Sequence, residues 1–304
     1  MIDEKLIDRE NSKEHYVRKG DPAKPTYYII RPQYVSSGLF WHFTAFAGHI
    51  RYALSKGWVP VVNMQNYQNA YLAPEKFGKE NAWEYFFEQP MKVDLKKAFN
   101  GENVILSGLS APMQPNISIN FNEENLAPYK ELVRQGFLKV KAEISREVLA
   151  VQEKLFKPTD KVLGIKLRGT DYTANKPKWH YIPPSISLAE DTVRTKLKEW
   201  NCNKIFLATE DRAIEQNFKN IFGDICVTFD KEFVNYIPGK CITSFRINRE
   251  DAYFLQGKEY LIEMLILSKC NSLIMTRTFG TVGVMIFGET FEHTYFFDLG
   301  RYGV

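Results

Sequence analysis

The sequence predicts an α/β fold in two halves, and three observations point there. Short apolar runs alternate with segments of helical period along most of the chain, the pattern of parallel strands joined by crossover helices. Near the midpoint, Lys157-Pro-Thr-Asp-Lys161 interrupts that alternation with linker composition. The segments on either side, 1–157 and 158–304, each have ordinary domain size, about 150 residues. Two such halves predict a ligand held in a cleft between them.

Residues 1–25 are polar, carry Pro22 and Pro25, and read as a loosely held lead-in. Tyr27–Ile30 is the first strand. Ser36-Ser-Gly38 makes a small-residue turn, after which apolar residues at helical spacing predict a helix over 39–56, closed by Gly57. Val59–Asn63 and Asn103–Ser107 are further strands. The stretch 65–89 is rich in Asn, Tyr, Trp and Phe without a clear period, and 81–90 reads as a short helix stopped by proline. Aromatic rings flanked by amides and carboxylates suit a sugar-binding surface, although core packing is their commoner use. One long helix is predicted over 127–156.

The second half is more regular. Strands are predicted at 162–167, 204–208, 225–229, 272–275 and 293–298, with helices at 188–200, 211–222, 251–268 and 282–287 between them. Three of its strand ends carry polar clusters, Arg168-Gly-Thr-Asp171, Ala208-Thr-Glu-Asp211 and Thr276-Arg-Thr-Phe-Gly-Thr281. Parallel strands put their carboxyl ends on one edge, where ligands of open α/β sheets bind, so the clusters should converge. Arg168 either grips a phosphate through paired N–H groups or makes a strand-end ion pair with Asp171. Thr209 and Asp211 are plausible N-caps, while Glu210 is free to accept hydrogen bonds from a base or ribose. Thr276–Thr281 supplies hydroxyls and backbone N–H groups at a helix start, a seat for a diphosphate.

Composition narrows the class. Apolar residues are 44% and charged residues 25% of the chain, so a full core is expected. No apolar run reaches the roughly 18 residues of a membrane span, and the charged start lacks the apolar segment of a signal peptide. The expectation is a cytoplasmic protein without a transmembrane segment. With 40 Lys and Arg against 36 Asp and Glu, the net charge of +4 suits a small anionic ligand, and no basic stripe argues for nucleic acid. Cys202, Cys226, Cys241 and Cys270 lack metal-ligand spacing and read as reduced thiols.

Gly164-Ile-Lys-Leu-Arg-Gly-Thr-Asp171 resembles the "G-[VI]-H-x-R-x-T-D" strand end of the fucosyltransferase superfamily, nearest the α1,6-fucosyltransferases. Ile205-Phe-Leu-Ala-Thr-Glu-Asp211 is similar to their "[VI]-x-L-A-T-D-D". The stretch from Glu263 to Gly280 is similar to "D-I-x-x-L-S-x-A-D-x-[LI]-[VI]-x-T-x-S". A weaker likeness covers Gly38 to His42 and Trp83-Glu84.

The resemblance implies a GT-B fold of two Rossmann-like domains facing across a cleft, and a metal-independent inverting transfer from a GDP-sugar, with fucose as the sugar, to a glycan or polysaccharide acceptor. No cofactor is implied beyond the donor substrate, and the chain contains no DxD. The residues carried over for the donor are Gly38, His42, Lys166, Arg168, Thr209, Glu210, Asp211, Glu263, Thr278, Gly280 and Thr281. Catalysis falls to Arg168, Asp171 and His180, and acceptor contacts to Trp83, Glu84 and Lys176.

This chain also departs from the pattern. Lys166 replaces the family histidine, Gly169 a second arginine, and Lys176 an acid proposed as general base. His180 is the substitute base within reach of neutral pH, and Glu263 stands in place of an aspartate. A transferase using another nucleotide sugar and a non-catalytic nucleotide- or glycan-binding relative are the alternatives. The expected setting is peripheral, at the inner face of a bacterial membrane.

Overall fold

In the computed structural model, residues 8, 10–115 and 123–304 are described. The chain divides into two compact units, one of Met1–Ala142 with Tyr253–Lys258, the other of Glu143–Ala252 with Glu259–Val304. The division thus falls earlier than the linker at 157, and a short later segment returns to the first unit. Among the described residues no helix is long and apolar enough to cross a membrane.

The first unit is built on a four-stranded sheet. Its strands are β1 (His15–Arg18), β2 (Thr26–Ile30), β3 (Val59–Val62) and β4 (Asn103–Leu106), in the order β1-β4-β2-β3. β2 pairs in parallel with β3 and β4, and β1 lies antiparallel on the β4 edge. The lead-in therefore contains a strand that its polar composition concealed. Its side chains alternate half-buried and exposed, as on a sheet edge, and tertiary contacts hold the preceding segment in place. The Arg31 guanidinium donates to the carbonyls of Asp8, Lys13 and Ser107. Part of the lead-in, residues 1–7 and 9, lies outside the described residues.

Successive residues of β2 face opposite sides. Ile29 packs with Leu95, Ala98 and Phe99 of the short helix α2 (Leu95–Phe99), capped by Asp94. Tyr28 turns the other way and its hydroxyl meets His49 Nδ1 of helix α1 (Leu39–Ser55) at 3.0 Å. Gly57 follows that helix at φ +70°, as a closing glycine should.

The single helix expected over 127–156 is two, α3 (Glu123–Arg134) and α4 (Ala142–Leu155). Gly136 sits at φ +80° and ends α3, with the N–H of Phe137 returned to the Leu132 carbonyl. Residues 139–141 then run alongside Phe86–Glu88, exchanging Glu88 N–H to Lys139 O at 2.8 Å and Lys141 N–H to Phe86 O at 2.9 Å. Apolar spacing carried through the turn and gave the impression of one drifting face.

The second unit holds five parallel strands, β5 (Val162–Lys166), β6 (Lys204–Ala208), β7 (Cys226–Thr228), β8 (Ser272–Thr276) and β9 (His293–Phe297). Their order is β7-β6-β5-β8-β9, the doubly wound arrangement. One face, with Leu163, Ile165, Ile205 and Leu207, packs on Ala189 and Val193 of α6 (Ile186–Glu199) and on Ile214 and Phe218 of α7 (Arg212–Phe222). A six-residue helix, α5 (Thr170–Asn175), was not expected after Arg168, and α8 (Ala252–Leu267) and α9 (Phe279–Phe287) complete the set used here.

His42 and His49 in α1 are fully buried, and burial lowers both, His42 to about 4 and His49 to about 3. A folded-state value below the unfolded 6.5 means that the unfolded chain takes up the proton first, so stability is lost as pH falls from about 6.5 towards 4. For His42 the loss should be on the order of 3 kcal/mol at pH 4. Thermal melts across that range should show Tm falling, and His42→Phe should flatten the fall.

Candidate nucleotide site

The candidate site sits on the carboxyl edge of the second unit's sheet. From β5 the chain winds outward through β6 and β7, then crosses back to begin β8 on the other side of β5. The switch point therefore lies between β5 and β8, where open α/β sheets leave a crevice for ligands. Register brings the three polar strand ends to one level, since Lys166 pairs with Ala208 on one side and with Met275 on the other.

Arg168 follows β5 and is largely buried, its side chain 13% exposed. Nη2 donates to Asp171 Oδ1 at 2.7 Å, and Nη1 lies 3.5 Å from Glu210 Oε2. The guanidinium carbon stands 4.3 Å from the centroid of the Tyr172 ring. Burial works against its charge, but Glu210, Tyr172 and Asp171 outweigh it and hold the arginine well above its ordinary value. The strand-end ion pair expected from sequence is formed.

Glu210 Oε1 accepts from Gly169 N–H at 2.8 Å and from the Thr170 hydroxyl at 3.1 Å. Burial would raise its carboxyl, yet Arg168, Lys166 and these backbone donors hold it below the usual range. Asp211 is the N-cap of α7, accepting from Ala213 and Ile214, and also from Thr170 N–H at 3.2 Å. The buried Thr209 hydroxyl accepts from Asp211 N–H at 3.2 Å. Capping accounts for both of these residues.

Lys166 ends β5, is 2% exposed, and points its ammonium at the Tyr260 ring, 5.4 Å from the centroid. Burial and the neighbouring Arg168 push it down to about 8. Glu263, equally enclosed, is bonded to Lys231 at 2.5 Å, and burial raises its carboxyl against the pull of that lysine. Gly280, in the first turn of α9, lies where a Cβ would come within 2.2 Å of the Tyr260 hydroxyl and 2.9 Å of Lys166 Cε.

The start of α9 differs from expectation. Thr278 caps it by accepting from Thr281 N–H at 3.2 Å, and the Thr281 hydroxyl donates to Thr276 O at 2.6 Å. Both hydroxyls are thereby used to build the helix start, and what α9 offers a ligand is its first-turn N–H groups. Arg277 is not a surface charge. It packs 5.6 Å from the Tyr181 ring and 3.6 Å from Asp298, with a side chain only 17% exposed.

His180 and Lys176 are exposed. The His180 ring meets the edge of Tyr172 at 5.1 Å, so it reaches Arg168 through that ring. Lys176 closes α5 at φ +44°.

Gly38, His42, Trp83 and Glu84 belong to the first unit. Gly38 is the N-cap of α1 and brings no side chain to it. His42 is enclosed and stacks on Phe46 at 5.6 Å. Trp83 is fully buried, stacked on Phe87 at 4.3 Å, and its Nε1 donates to Glu88 O at 3.1 Å. The Trp83 ring thus presents no exposed face. Glu84 accepts from Asn81 and Gln89 and ties this loop together.

Sequence reasoning missed Tyr172, Tyr260 and Lys231. Tyr172 lies in α5, four residues after Arg168. Lys231 comes from a long irregular segment far from Glu263 in sequence and gave no signal.

The sequence matches no protein-family model and no curated protein. In fold it is similar to several solved structures. NodZ alpha-1,6-fucosyltransferase soaked with GDP-fucose shares 18% identity over 92% of this chain and 98% of that one, with a TM-score of 0.55. The apo-form of POFUT1 shares 9% over 95% and 100%, with a TM-score of 0.54. An Arabidopsis thaliana FUT1 mutant in complex with GDP shares 13% over 96% and 73%, with a TM-score of 0.52. At these identities the likeness is one of fold, that of mixed α/β fucosyltransferase structures with parallel sheets.

A Cβ at Gly169 would lie 2.2 Å from Asp211 Oδ2 and 2.8 Å from Asp211 Cβ, and that carboxylate cannot retreat without abandoning the α7 cap. Gly169→Ala should destabilise the protein by about 1–3 kcal/mol. Denaturant titration should show the midpoint fall with the slope unchanged.

Proposed function

We propose that this chain is an inverting glycosyltransferase of GT-B architecture that transfers a sugar, fucose as the first choice, from a GDP-sugar to a glycan or polysaccharide acceptor. The observation that carries the proposal is Arg168, a buried guanidinium fixed by two carboxylates at the switch point of a doubly wound sheet. Lys166 on the same strand and the start of α9 across the crevice add positive charge and N–H donors. Such a place suits a diphosphate.

In a transfer of this kind the sugar–phosphate bond breaks and charge accumulates on the β-phosphate. A cation already placed in a water-poor crevice stabilises that charge more than it stabilises the ground state. Arg168 and Lys166 would do this without a metal ion in the step. His180 is the candidate to take the proton from the acceptor hydroxyl, as the imidazole nearest Arg168 through the Tyr172 ring. The GDP and GDP-fucose named with the similar structures support the choice of nucleotide and sugar.

Isothermal titration should show GDP binding that Arg168→Ala abolishes, and transfer should fall by about a hundredfold or more in that variant. Wild-type GDP affinity in Arg168→Ala would defeat the proposal. Lys166, held at about 8, carries its charge below that pH and loses it above. GDP affinity should therefore decline as pH rises through about 8, and Lys166→Met should remove that dependence.

A further inference from the structure

We infer that Trp179 is a stacking platform for a pyranose ring of the acceptor glycan, an inference that rests on the transferase reading above. Trp179 is 59% exposed, whereas Trp83, the tryptophan expected to do this from sequence, is sealed in a core. Its backbone is held at φ +72°, a left-handed conformation that a bulky side chain adopts only when the surroundings impose it.

Those surroundings are the last residues of the chain. Trp179 N–H donates to Tyr302 O at 2.9 Å, Tyr302 N–H to His180 O at 3.0 Å, and Ile182 N–H to Gly300 O at 3.0 Å. The terminal strip thus locks a strained turn whose outcome is an indole presented to solvent. Lys178 Nζ stands 5.1 Å from the indole centroid, which steadies the ring and sets an ammonium donor beside it.

Position selects the ligand. The next residue, His180, packs its ring on Tyr172, and Tyr172 carries Arg168 on its face. Trp179 is the chain neighbour of the candidate base, the side from which we take the sugar bearing the attacking hydroxyl to approach. An indole with Lys178 beside it and His180 next in the chain is far smaller than a protein interface. It matches a pyranose, which offers an apolar C–H face to a ring and hydroxyls to the donors around it.

The test titrates cello-, malto-, galacto- and chito-tetraose into GDP-bound wild type, Trp179→Gly and Trp179→Phe, with heats of binding as the readout. Glycine suits the left-handed backbone, so this variant removes the ring without new strain. We expect at least one tetraose to bind the wild type, to bind Trp179→Gly tenfold or more weakly, and to recover part of that loss in Trp179→Phe. Equal binding by wild type and Trp179→Gly, or no binding of any tetraose to the wild type, overturns the inference. A separate GDP titration keeps the two readings apart. Lack of GDP binding removes the transferase reading, while a ring-dependent response to a tetraose identifies a carbohydrate site all the same.

Discussion

The second unit depends on a balance of enclosed charge. Arg168, Lys166 and Lys231 are set among Asp171, Glu210 and Glu263 at one edge of a parallel sheet. Removing such groups from water costs several kcal/mol for each unpaired ion, so none is tolerated without its partners. Arg168 is the pivot, because it touches carboxylates from two different strand ends and a ring from the helix that follows it. Asp171 extends the link to the irregular segment after β7, accepting from Ile242 N–H at 3.2 Å. Electrostatics therefore ties a long segment without regular structure to the strand that carries the site.

Topology explains why these groups meet. Parallel strands in register deliver their carboxyl ends to one level, and the reversal of winding direction opens a gap beside β5. Short residues then let the backbones approach. Gly169 lies against the Asp211 carboxylate and Gly280 against Tyr260, so the site is shaped by absent side chains as well as by charged ones.

Much of this was legible in the sequence because the second unit obeys local rules. Its strands are near-continuous apolar runs, as fully covered parallel strands must be, and observed bounds for β6 and α7 agree with the expected ones to within a residue. The cap of α7 was visible as Asp211 before an apolar segment, whereas that of α9 at Thr278 was not read. What escaped was non-local. β1 is a strand because of β4 and the bonding of Arg31, not because of His15-Tyr-Val-Arg18. The aromatic stretch around Trp83 left a sugar surface and core packing both open, because composition alone does not tell a buried ring from an exposed one. The exposed indole of Trp179 drew no notice, since its setting is made by residues more than a hundred positions away.

The path of the chain has a consequence for its folding. Helix α8 contributes Tyr253–Lys258 to the first unit and its remainder to the second. Phe254 stacks on Phe86 at 6.0 Å, and the Phe86 side chain is fully buried. During synthesis the first unit cannot be completed until this segment leaves the ribosome, by which time β5, β6 and β7 have already emerged. The amino-terminal half is thus obliged to wait, half-finished, for its missing aromatic, and cutting the gene at the midpoint would separate that residue from the ring it covers.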